Sequence, residues 1–149
     1  VAARPAGRFE CGDPNPPVEA QVMPVLKTCR IRFHTNDEDK DHDTHVTITV
    51  RDGGGNIAAR VDNDFGHFDD QSDFETFVPI RNQSSRADMQ TGRITIRIDP
   101  NGHDTWRFNF DLDLVFDDNS RLGGGQTGLQ LNQNNREFTA GLEGLVQPR

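Results

Sequence analysis

The run Trp106-Arg107-Phe108-Asn109-Phe110-Asp111-Leu112-Asp113-Leu114-Val115-Phe116 constrains this chain more than any other segment. Its apolar residues recur at every second position, so Trp106, Phe108, Phe110, Leu112, Leu114 and Phe116 fall on one face of an extended strand. Asn109, Asp111 and Asp113 fall on the other face and belong in water. A strand with one apolar face cannot stand alone. It requires neighbours in a sheet and a second layer to cover it.

Shorter segments repeat the pattern. Cys29, Ile31 and Phe33 share a face within 25–34, and Val46, Ile48 and Val50 point inward within 45–51 with His45, Thr47 and Thr49 outward. The turn signal Asp52-Gly53-Gly54-Gly55-Asn56 joins that strand to Ile57, Ala59 and Val61, which predicts a hairpin. Further strands are expected at 73–80, through Phe74, Val78 and Ile80, and at 92–99, through Ile94, Ile96 and Ile98. The Gly123-Gly124-Gly125 run reads as a break, followed by weaker strand material at Leu129–Leu131 and Arg136–Leu142. No segment carries a helical stripe. The expected class is all-β, an antiparallel β-sandwich.

A chain of 149 residues is about one domain's worth. Pro5, Pro14, Pro16, Pro17 and Pro24 mark 1–24 as an extended leader or linker, which leaves 25–149 for the sandwich. Only 32% of residues are hydrophobic, but their ordered alternation argues against disorder. Cys11 and Cys29 suit a disulfide that would pin the leader and imply an oxidising, extracellular setting, with two buried thiols as the alternative. No run is long and apolar enough to span a membrane as a helix. The start at Val1, without an initiating Met, is expected of a processed or excised fragment.

The formal charge is -8, with 24 acidic against 16 basic residues. Such a surface repels phosphate backbones, so nucleic acid is not an expected partner. The acids cluster between strands. The first loop supplies Asp37, Asp39, Asp41 and Asp43, and the second supplies Asp62, Asn63, Asp64, Asp69 and Asp70. Short carboxylates in tight loops suit calcium, which takes about six to eight hard oxygen ligands. An ordinary solvated surface is the alternative. The loops are not EF-hands: counted from Asp37, His42 holds the glycine position and the core residue Ile48 the bidentate glutamate position. His42 and His45, with His34, His67 and His103, read as surface histidines rather than a zinc or copper site.

The order of these features resembles the start of PLAT domains, the lipid-associated jelly-roll sandwiches of lipoxygenases and lipases. An acidic loop, Asp39-Lys40-Asp41-His42-Asp43, precedes the alternating strand Val46–Val50. Asp62-Asn63-Asp64-Phe65-Gly66 then follows a Gly-rich hairpin. The calcium-binding C-terminal domain of clostridial phospholipase C is similar in this order and in the Trp106-Arg107-Phe108 start of a long strand. The resemblance covers roughly 26–118 and implies Asp39, Asp43, Asp62 and Asn63 as calcium ligands. Asp41, Asp64, Asp69 and Asp70 are neighbours able to substitute, and Asp117 and Asp118 are expected at the same rim.

The resemblance further implies calcium-dependent targeting to a lipid or cell surface, with Phe65 and Phe68 as apolar loop tips or as cover for the core edge. A calcium-stabilised carbohydrate-binding module is the alternative, although Trp 1 and Tyr 0 leave few residues for stacking sugars. Calcium acting only as structural cement fits as well. Asp111 and Asp113 come with no nucleophile motif or groove signal, so the chain is expected to be no enzyme. The expected state is a secreted monomer with calcium as its cofactor.

Overall fold

The computed structural model describes residues 23–145. Among the described residues, eight strands run in chain order: β1 (Leu26–Thr35), β2 (His45–Arg51), β3 (Ile57–Asn63), β4 (Asp73–Phe77), β5 (Arg93–Asp99), β6 (Thr105–Phe116), β7 (Arg121–Asn132) and β8 (Glu137–Gly141). They form two antiparallel four-stranded sheets, ordered β4-β1-β6-β7 and β3-β2-β5-β8. The β-sandwich expected from the alternation is therefore present.

Its core is the set of inward rows. Phe33, Ile31 and Cys29 of β1 lie in register with Phe110, Leu112 and Leu114 of β6. Val46, Ile48 and Val50 of β2 lie in register with Ile98, Ile96 and Ile94 of β5. All twelve are buried. Full burial of one such side chain contributes about 1.5–3 kcal/mol, so these rows supply a large share of the drive to close the sandwich. Trp106 is fully buried and donates its indole N–H to Thr35 Oγ1 at 3.0 Å.

Three sequence expectations change. The glycine run lies inside β7 rather than ending a strand. A Cβ on Gly123 would stand 2.1 Å from Leu112 O, and one on Gly125 2.1 Å from Phe110 O, so β7 approaches β6 closely because these side chains are missing. Of 73–80, only Asp73–Phe77 is a strand, and Ile80 makes an isolated bridge to Ala59. A five-residue helix, α1 (Arg86–Gln90), begins at Ser85, whose hydroxyl accepts from Asp88 N–H at 3.1 Å.

The β2–β3 hairpin forms as expected, and its turn is held by Asp52. This carboxylate is 4% exposed and accepts from Gly54 N and Asn56 N at 3.0 Å and from Ser84 Oγ at 2.8 Å. Burial would raise its pKa, but the hydrogen bonds from Ser84, Asn56 and Gly54 outweigh this and hold it below the usual carboxylate value.

Antiparallel pairing also sorts the loops by end. The connections 36–44, 64–72, 100–104 and 133–136 share one rim, while 52–56, 78–92 and 117–120 share the other. Thr35 pairs with Phe108 near one end of β6 and Leu26 with Phe116 at the other, a separation of about 30 Å at the usual strand rise.

Candidate functional site

The two acidic loops meet on one rim, and a lysine joins them. Lys40 and Phe68 exchange backbone hydrogen bonds, Lys40 N to Phe68 O at 3.1 Å and Phe68 N to Lys40 O at 3.0 Å. The Lys40 side chain is 0% exposed. Its ammonium donates to Thr44 O at 3.0 Å and Asp41 O at 2.9 Å in the first loop, and to Asp64 O at 2.7 Å in the second. It also stands 4.8 Å from the centroid of the Phe68 ring. An ammonium has three donors, and here three carbonyls take them all. Burial lowers the Lys40 pKa, against the pull of Asp104, Asp64, Asp41 and Asp43. The ammonium thus satisfies three carbonyls at the point where the two loops meet.

A third loop is tied in by a carboxylate that sequence reasoning passed over. Asp104 is 9% exposed and accepts from Thr44 Oγ1 at 2.6 Å and Asp41 N at 3.1 Å. Asn101 Nδ2, from the same connection, donates to Asp43 at 3.2 Å. Below the rim, Phe33, Phe68, Trp106 and Phe108 pack ring on ring, with Trp106 and Phe108 stacked at 3.9 Å between centroids. This aromatic floor gives the loops a rigid seat.

The nine candidate ligands divide on this frame. Ligand atoms of Asp39, Asp41 and His67 lie within 4.8 Å of one another. His67 Nε2 is 3.2 Å from Asp39 Oδ2 and 3.1 Å from Asp69 Oδ1. A second group forms around His45, whose Nδ1 is 2.7 Å from Asp64 Oδ1 and whose Nε2 contacts Asp62 Oδ1. Asp37 instead pairs with Arg107 at 3.2 Å. Asn63 Oδ1 accepts from Phe65 N at 3.0 Å in an Asx turn, and Asp70 is exposed. His45 and His67 therefore engage the carboxylates, which the surface-histidine reading did not foresee.

Electrostatics single out Asp41. Burial raises its pKa above the usual carboxylate value, and repulsion from Asp104, Asp39 and Asp43 raises it further, against the pull of His67. A divalent cation would offset that crowding. Asp39, Asp41 and Asp69 could offer calcium three carboxylates if His67 turned aside, since an imidazole is not a calcium ligand. With His67 Nε2 retained, Asp39, Asp41 and His67 suit zinc.

One expectation is corrected and one open alternative is settled. Asp117 and Asp118 sit at the opposite rim, because β6 runs away from the first loop; Asp117 N bonds Val25 O at 2.9 Å. Phe65 and Phe68 are not loop tips. Phe68 is 3% exposed, and Phe65 packs on Phe74 with centroids 5.2 Å apart, so both cover the core edge. Cys11, and with it the expected disulfide, lies outside the described residues. Cys29 is buried in the core, and burial, with a lesser effect of Asp113, pushes its thiol up to about 12.

No protein-family model matches this chain, and no curated protein matches it.

Proposed function

We propose that this chain is a secreted, non-catalytic calcium-binding module that attaches to a lipid or cell surface through its acidic rim. The observation that carries the reading is the convergence of Asp39 and Asp41 with His67 across two loops locked together by Lys40, in a place where burial and then the charge of neighbouring carboxylates disfavour ionised Asp41. The PLAT resemblance points to the same loops. With Phe65 and Phe68 turned inward, the ion itself makes the contact, bridging rim carboxylates to anionic headgroups without apolar insertion. Such binding depends on calcium, because a chain of charge -8 is repelled by anionic lipid.

A calcium titration followed by thermal melting tests the premise. At tenfold excess over Kd a native-state ligand stabilises by about 1.4 kcal/mol, which moves the melting temperature by several degrees. No upward shift at millimolar calcium sinks the reading. Flotation with phosphatidylserine vesicles, with calcium and with chelator, then tests the surface.

His67 favours a second reading, in which zinc is the ion. A zinc response that His67→Ala abolishes, without any calcium response, selects it.

A further inference from the structure

The outer face of the β4-β1-β6-β7 sheet carries a groove of about 920 Å³, whose lining includes none of the nine candidate ligands above. That volume falls in the range of small-molecule sites, about 300–1,000 Å³. Its depth has a clear origin. Asp111 and Asp113 of β6 lie in register with Gly125 and Gly123 of β7, so no β7 side chains rise beside them. The glycines therefore do two things: they let β7 approach β6, and they leave the outer face open along one side.

The lining is charged but balanced. Arg30, Arg32 and Arg121 stand against Asp73, Glu75, Asp111 and Asp113, with the signs interleaved across the strands. Arg30 pairs with Glu75 at 2.9 Å and with Asp113 at 3.1 Å. Arg32 lies in register with Asp111, yet its guanidinium turns to Asp73 at 3.6 Å. Asp111 is left with no ion-pair or hydrogen-bond partner among the described residues. One carboxylate and most of one guanidinium fork thus keep their hydrogen-bonding capacity for a ligand.

We infer that this groove binds a neutral oligosaccharide. A polyanion or polycation would meet repulsion from half of the lining, and an acyl chain would strip water from several charges without returning hydrogen bonds. An extended peptide pairs through its backbone at sheet edges, whereas Arg30, Arg32, Asp111 and Asp113 of this groove stand on β1 and β6, the two central strands of the sheet. Sugar hydroxyls are donors and acceptors at once, so adjacent pairs match both a carboxylate and a guanidinium in bidentate fashion. The groove contains no tyrosine or tryptophan for ring stacking, so the hydrogen bonds of Arg32 and Asp111 carry the specificity.

A glycan array of neutral, acidic and amino sugars, followed by isothermal titration of the neutral hits, tests this site. The expected result is binding of a neutral glycan, weakened about tenfold by Asp111→Ala and by Arg32→Ala, as loss of a charged hydrogen bond predicts. Both side chains are exposed, and an unchanged melting temperature shows that each variant folds. Chelator and Asp41→Asn leave this binding intact, which separates the groove from the rim. No neutral hit, hits confined to charged glycans, or affinity unchanged in both variants overturns the proposal.

Discussion

Three backbone carbonyls converge on the Lys40 ammonium from two different loops, adding a side-chain clasp to the backbone bridge between Lys40 and Phe68. Replacing the ammonium leaves Asp41 O, Thr44 O and Asp64 O facing an apolar end. Lys40→Met is therefore expected to destabilise the protein by about 3 kcal/mol, the scale for losing charged hydrogen bonds and stranding buried acceptors. Urea unfolding measures it, and Lys40→Arg does not rescue, because a planar fork cannot aim at three converging oxygens. Asp41 acts in the opposite sense. Its folded pKa is raised, so its contribution to stability falls as pH rises through the unfolded and then the folded value, and it opposes folding at neutral pH. Asp41→Asn is expected to raise the melting temperature without calcium, to flatten the decline in stability between the ordinary aspartate value and the raised folded one, and to shrink the calcium increment. A melt series against pH, with and without calcium, checks all three. The carboxylates were legible as candidates because the type and density of residues announce themselves. Lys40 was not, since a lone cation in a run of acids reads as solvated until the bridge to Phe68 turns it inward.

At the scale of the element, β7 shows how a local rule fails for a tertiary reason. Consecutive glycines normally punctuate a chain, because they lose much conformational entropy on ordering. Here Gly123 and Gly124 take φ of 144° and 152°, which side chains rarely adopt, and Gly125 sits where a Cβ would strike Phe110 O. The contact that selects glycine lies on another strand, so no inspection of 121–132 alone could reveal it. Gly125→Ala is accordingly expected to cost about 2 kcal/mol or more, since the obstacle is backbone and cannot rotate away. Chemical denaturation gives the number, and a cost below about 0.5 kcal/mol, the usual limit for an innocuous surface change, shows that β7 can slide. The strands with strict alternation, β2, β5 and β6, were legible because each one's own pattern names its buried face. The groove on the outer sheet face was not. It arises from side chains absent on β7 and charges present on β1 and β6, and only the register brings those together.

The whole molecule has two ends with different occupations, and that polarity follows from pairing alone. Every acidic stretch looks equivalent in sequence, so Asp117 and Asp118 could be grouped with Asp39 and Asp62 until the direction of β6 was known. With β6 antiparallel to β1, the 117–120 turn lies about 30 Å from the first loop, several Debye lengths at physiological salt. Charge removed at one end is therefore not felt at the other through solvent, and among the described residues no shared partner connects them. Asp118 is engaged locally, its carboxylate accepting from Ser120 Oγ at 2.6 Å and Ser120 N at 2.9 Å. Those bonds hold its pKa below the usual carboxylate value. Asp118→Asn weakens that turn and nothing beyond it. Its calcium-induced melting shift should equal that of the unsubstituted protein, while Asp39→Asn should lose most of the shift. The double variant should then show the sum of the two baseline effects within about 0.5 kcal/mol, as distant sites do. If Asp118→Asn diminishes the calcium response as strongly as Asp39→Asn, the ion is not held at the rim built by Lys40.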